Sequence, residues 1–143
     1  MTTLTITSIS TRKLLTLVPL AGLIAATINA VLFYIGTATG AIPANLIIPN
    51  AGQPLFIVPV IAASFMPIIA AGLLLALLNR FTKQPLRIVN IIAVVFLMLS
   101  FAGPFSIPGV PVSMIAFLEL MHIVVAVAVL TAFNRFASRP VNL

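Results

Sequence analysis

Residues 14–35 read LLTLVPLAGLIAATINAVLFYI, a run without a charged side chain that follows directly on Arg12-Lys13. At about 1.5 Å of rise per residue, a helix over this run crosses a hydrocarbon core of about 30 Å. Three further apolar stretches follow, at about Leu55–Leu78 (55–78), Ile88–Ala102 (88–102) and Ser113–Phe133 (113–133). The second and fourth spans are long enough to cross in the same way. The third is short, and it reaches across only if Arg87 snorkels or the helix continues toward Phe105.

Composition points the same way. Of the 143 residues, 62% are apolar and 6% are charged, whereas a soluble domain carries about 25% charged residues. So little polar material cannot cover a surface in water. The fold class expected is all-α, a transmembrane four-helix bundle. One membrane domain covers 14–136, between a terminal tail at 1–13 and another at 137–143.

The charges give the bundle an orientation. The basic residues are Arg12, Lys13, Arg80, Lys83, Arg87, Arg135 and Arg139. They fall before span one, between spans two and three, and after span four, while the loops at about 36–54 and 103–112 are uncharged. Lys and Arg accumulate on the cytoplasmic side of a membrane. Both termini are therefore expected in the cytoplasm, with the chain multi-pass in the inner (plasma) membrane. The net charge of +6 then serves topology and contact with anionic lipid headgroups, and nucleic acid is not an expected partner. A signal peptide is not expected either, because the first run is long for an h-region and its cleavage site is weak. The segment Thr2–Thr11 reads as a frayed tail.

The uncharged loops are themselves apolar. Ile42-Pro43 and Leu46-Ile47-Ile48-Pro49 should lie at the interface or fold back over the bundle mouth. The second loop holds Pro104, Pro108 and Pro111 and should not form regular helix. Pro59 and Pro67 should kink span two.

The chain also repeats itself. Asn79-Arg80-Phe81, three residues, Pro85 and Leu86 match Asn134-Arg135-Phe136, three residues, Pro140 and Val141. Both motifs end an inward-running helix, which suggests two parallel helical hairpins. Together with the Thr11-Arg12-Lys13-Leu14-Leu15 start, Asn29 late in span one and Leu120-Met121-His122 in span four, this layout resembles a family of uncharacterised bacterial four-span membrane proteins classed as a domain of unknown function. The resemblance implies the four-span architecture and no particular activity.

Several catalytic classes are excluded. The chain has no cysteine, one acidic residue, Glu119, and one histidine, His122. Thiolate chemistry, cysteine-bound metals and carboxylate pairs are thus out of reach of a single chain. No phosphate-cradling glycine loop or nucleophile elbow is present, so enzymatic activity is not expected. Glu119 and His122 form a Glu-x-x-His spacing, but one copy without further Glu does not make a di-iron site.

Charged and polar groups in hydrocarbon are costly and draw attention for that reason. Depth counting brings Glu119, His122, Asn29 and Ser64 to one level, in the half of the membrane away from the termini. Gly22, Ala26 and Ala30 form a small-residue stripe on span one, and Gly36 with Gly40 make a Gly-x-x-x-Gly pair, so these five are expected as helix-packing positions. The leading functional expectation is a non-catalytic accessory subunit or a self-associating structural membrane protein, with a buried Glu/His cluster as an internal lock. Its partners would be the lipid bilayer and either a second copy or a larger membrane complex. The alternative is a small oligomeric proton-coupled transporter or ion channel using Glu119 and His122. A further alternative is a membrane subunit that binds haem or a chlorophyll-type pigment through His122. No bound cofactor or metal is the leading expectation.

Overall fold

In hydrocarbon a backbone satisfies its own polar groups only by helix or closed barrel, and these apolar runs take the first solution. A computed structural model of the chain describes residues 7–9 and 11–140. Helix α1 covers Thr11–Ala38, α2 Ile57–Phe81, α3 Pro85–Ser100, α4 Ala102–Phe105 and α5 Val112–Thr131. The last runs on into a π-helical turn at Ala132–Ala137. Among the described residues, four stretches are long and apolar enough to cross a membrane: Arg12–Ala38, Ile57–Phe81, Pro85–Phe105 and Val112–Ala137. The architecture is an all-α four-helix bundle.

The third span gains length at both ends. Pro85 opens α3, a place where its fixed φ is favourable and its missing N–H costs nothing. Past Phe101, α4 extends the column to Phe105. The second loop thus contains one helical turn that its prolines had argued against, with Pro104 inside it. Among the prolines of α2, only Pro67 is interior. Pro59 falls in the first turn, where it costs no helical hydrogen bond and gives no reason for a kink: an N–H in that turn has no helical acceptor to lose. Pro19 interrupts α1 in the same way as Pro67 interrupts α2.

The expectation of a frayed N-terminal tail is corrected over part of its length. Strand β1 (Thr7–Ile9) pairs antiparallel with the strand Ser138–Pro140, with Ser8 opposite Arg139. The reason lies in the helices. α1 packs beside the π-helical turn, so two extended segments emerge together and each supplies the backbone partners that the other lacks. The remainder of both tails, residues 1–6, 10 and 141–143, lies outside the described residues.

The long loop does fold back over the bundle. Ile42 is buried and packs with Phe33, Val60, Met114 and Met121, and Leu46, Ile48 and Leu55 join that cluster. A short hairpin, Ile47–Ile48 against Gln53–Pro54, closes the loop. A second cluster fills the terminal half of the bundle around Ala25, Ile68, Leu75, Val129 and Phe133.

α1 and α2 are the most extensively packed pair, and small residues make that approach feasible. A Cβ on Gly22 would lie 2.9 Å from the Phe65 ring of α2, while one on Gly36 would lie 2.6 Å from Ile42 of the loop and 3.2 Å from Phe117 of α5, so Gly36 makes room for the folded-back loop instead. Ala26 is buried and Ala30 half-buried. Gly72 belongs with these positions, although the stripe on span one gave no hint of it: a Cβ there would run into Val18. Gly40 does not belong with them. It lies past the end of α1 in a turn with φ +74 and has nothing within 4 Å of a Cβ, so it serves the turn. α3 differs from the other helices, since only 11% of its span is buried against 33% for α1.

Val18 is β-branched on a helix and cannot swing aside at low cost. Gly72→Ala should therefore destabilise the bundle by about 1–3 kcal/mol. Gly103→Ala, whose Cβ meets nothing, should stay within about 0.5 kcal/mol. Loss of helicity on titration with a denaturing detergent measures both, and equal effects would contradict the close α1–α2 approach.

Candidate functional site: a polar layer beside an apolar cavity

Asn29 stands on the α1 face that carries Ala25 and Phe33, so helical periodicity turns its amide into the bundle. It is 2% exposed. Its Nδ2 donates to Ser64 Oγ on α2 at 2.8 Å and to the Met121 carbonyl on α5 at 3.1 Å. Ser64, also 2% exposed, passes its hydroxyl proton back to the Val60 carbonyl at 2.7 Å. The amide orientation follows from chemistry, because a carbonyl can only accept and so the Met121 oxygen must face the amide nitrogen. Asn29 Oδ1 is left buried and without a partner among the described residues.

His122 lies one residue on from Met121. Its Nδ1 is 2.7 Å from the Leu118 carbonyl, which again can only accept. Nδ1 therefore carries a proton, and in the neutral ring Nε2 is the acceptor.

Glu119 makes no hydrogen bond to this group. Both of its carboxylate oxygens are buried with no hydrogen-bond partner among the described residues, although the side chain is within electrostatic reach of His122. The group thus consists of a hydrogen-bonded pair, Asn29 and Ser64, with His122 lining the same cavity and Glu119 coupled to His122 by charge alone. A spacing of three residues leaves a rotation of about 60° between the two side chains, and only His122 of the two lines the space between α2, α3 and α5.

Beside the polar layer lies a cavity of about 360 Å³ between α2, α3 and α5. Its walls are almost wholly apolar, and Asn29, Ser64, Ser100 and His122 are its polar side chains. Ala126 lines it as well.

Six of the seven basic side chains are described. Arg12, Arg80, Lys83, Arg87 and Arg135 are exposed and Lys13 is half-buried, all of them near helix ends on the side of the termini. Lys13 Nζ donates to the Phe136 carbonyl at 3.3 Å, and Arg87 donates to Gln84 Oε1 at 3.3 Å. The Arg139 side chain lies outside the described residues. A pair not anticipated from the sequence ties the same end together: Asn90 and Asn134 exchange reciprocal amide bonds of 2.9 and 3.0 Å. Asn90 was legible as a polar residue in an apolar run, one turn beyond Arg87. Its partner comes from one of the two repeat motifs.

Fold and site together define a small multi-pass helical membrane protein with a hydrogen-bonded layer between two apolar clusters. The chain belongs to a family described as a family of unknown function (DUF6069), which matches residues 9–139. No curated protein and no solved structure matches it.

Interhelical hydrogen bonds in membranes contribute about 0.6 kcal/mol each on average. Ser64→Ala should cost about that much, because of the two bonds it removes only the one from Asn29 joins two helices. Asn29→Ala should cost about 1–2 kcal/mol, since it removes both bonds and opens a void. Detergent unfolding of the purified variants ranks them, and a larger loss for Ser64→Ala would contradict the central place of Asn29.

Proposed function

We propose that the chain is a non-catalytic, self-associating membrane protein in which the Asn29–Ser64 layer acts as an internal lock. The uneven packing of the helices carries this reading. The small-residue positions Gly22, Gly36 and Gly72 are all occupied by contacts within the chain, so they are not free for a neighbour. α3 is the helix left with little enclosure. Its residues Ile91, Val95 and Met98 are exposed and recur at i, i+4 and i+7, the spacing of one helical ridge. Exposed apolar surface is not itself unfavourable in lipid, so the gain on association comes from packing and dispersion. A two-fold arrangement of two copies pairs this ridge with itself. Both termini lie on the cytoplasmic side of the inner membrane in this reading, which the basic helix ends support.

A proton-coupled transporter is the second reading, and one observation favours it. The carboxylate of Glu119 makes no bond that would give it a packing role, and an unpaired acid within a span is a usual component of a proton path.

The chain has no cysteine, which makes single-cysteine cross-linking in native membranes direct. Val95→Cys and Met98→Cys should give cross-linked dimers, and Leu23→Cys, exposed on α1, should not. Absence of dimers, or equal yields from α1 and α3, would overturn self-association. Glu119→Gln and His122→Gln should leave the Val95→Cys yield unchanged. Proton flux in proteoliposomes that Glu119→Gln abolishes would establish the transport reading instead.

A further inference from the structure

We infer that the cavity between α2, α3 and α5 is a binding site for an apolar molecule that carries a hydroxyl group. The walls set the apolar part. Lining residues run from Val89 to Ser100 on α3 and from Leu118 to Val129 on α5, a length of about 16 Å along each helix. The far end, at Leu74, Val89 and Val129, is hydrocarbon only. The polar groups gather toward the other end. A narrow, long space with one polar region fits a chain or a small ring with a tail.

The hydrogen-bond inventory sets the head group. Four polar side chains line the cavity, and every donor among them is committed. The Asn29 amide gives its protons to Ser64 Oγ and the Met121 carbonyl. Ser64 donates to Val60, Ser100 donates to the Leu97 carbonyl at 2.7 Å, and His122 donates from Nδ1 to Leu118. What stays free toward the cavity is acceptor capacity, the Nε2 of the neutral His122 ring; Oδ1 of Asn29 is unpartnered as well but closed off within the packing. Pro67 adds another acceptor. It has no N–H for the Ala63 carbonyl, and both residues line the cavity. A ketone, ester or ether brings acceptors to acceptors and is mismatched here. A hydroxyl brings the missing donor, and in an apolar surrounding an unmet acceptor carries a real penalty. α3, the least enclosed helix, forms one wall and offers the way in.

Two membrane sources present this chemistry, a reduced isoprenoid quinol and a diacylglycerol. Matched probe pairs separate them from each other and from non-specific partition into the protein. The purified full chain is titrated with decylubiquinol against decylubiquinone, and with dioctanoylglycerol against its acetylated triester. In at least one pair the hydroxyl member should bind about tenfold more tightly, and the pair that discriminates identifies the source. His122→Phe keeps a ring of similar size but removes the acceptor, so it should bring the preference close to unity. Ala93→Phe fills the cavity from α3 and should weaken both members of the pair, with helical content monitored to verify folding. Equal binding within both pairs overturns the proposal. So does a hydroxyl preference that survives both substitutions.

Discussion

A primary amide in hydrocarbon has two N–H groups that must each find an acceptor or carry several kcal/mol of penalty. In this bundle the amide is Asn29, and its acceptors stand on two different helices, Ser64 on α2 and Met121 on α5. Three helices are thereby fixed in depth and rotation at one point. Sliding α1 by a turn moves it about 5.4 Å, which breaks both bonds and drives Gly22 and Gly36 off the side chains that they accommodate. Apolar contacts alone do not define such a register, because lipid competes for them on nearly equal terms. The two apolar clusters lie on either side of the layer, so each is assembled around a helix trio whose alignment the amide has set.

α3 escapes that constraint, and most of what is unusual in the structure follows. No residue of α3 takes part in the Asn29 bonds. It is held at its start by the reciprocal Asn90–Asn134 pair and beyond its end by the turn through α4. Between those points it is apart from the other helices far enough to leave the cavity, and it shows its outer ridge to the membrane. Such a helix can line a cavity on one face and offer a ridge to a neighbouring copy on the other while the Asn29 bonds stay as they are.

The spans were legible because length and the placement of seven basic residues constrain them independently. The Asn29–Ser64 contact was legible from depth alone, since both sit a countable distance from the same end. The second acceptor was not, because it is a backbone carbonyl and every residue of α5 has one. That Glu119 would lack a hydrogen bond was not legible, because three residues set depth well yet leave a rotation that only packing decides. Gly40 was misread because a Gly-x-x-x-Gly spacing looks the same whether or not the helix lasts to its second glycine. The terminal strands offered only three residues each, too few for alternation to show.

His122 and Glu119 remain to be accounted for once packing has been explained. Asn29 and Ser64 form a lock with Val60 and Met121 that needs neither of them. Replacing a buried polar group that makes no interhelical bond by an apolar one of similar shape is neutral or favourable for stability, so stability gives no reason for an unpaired carboxyl and a bare imidazole nitrogen at this depth. Neither group is bonded to another helix, and attraction between the two offsets only part of what burial costs the carboxyl. A partner from outside the bundle, whether a proton, a hydroxyl donor or a second chain, would recover the rest. The two groups also differ in what can reach them. His122 faces an open cavity, where a ligand can meet it as the structure stands. The oxygens of Glu119 are closed off, so any partner for them arrives only when the packing around α5 opens.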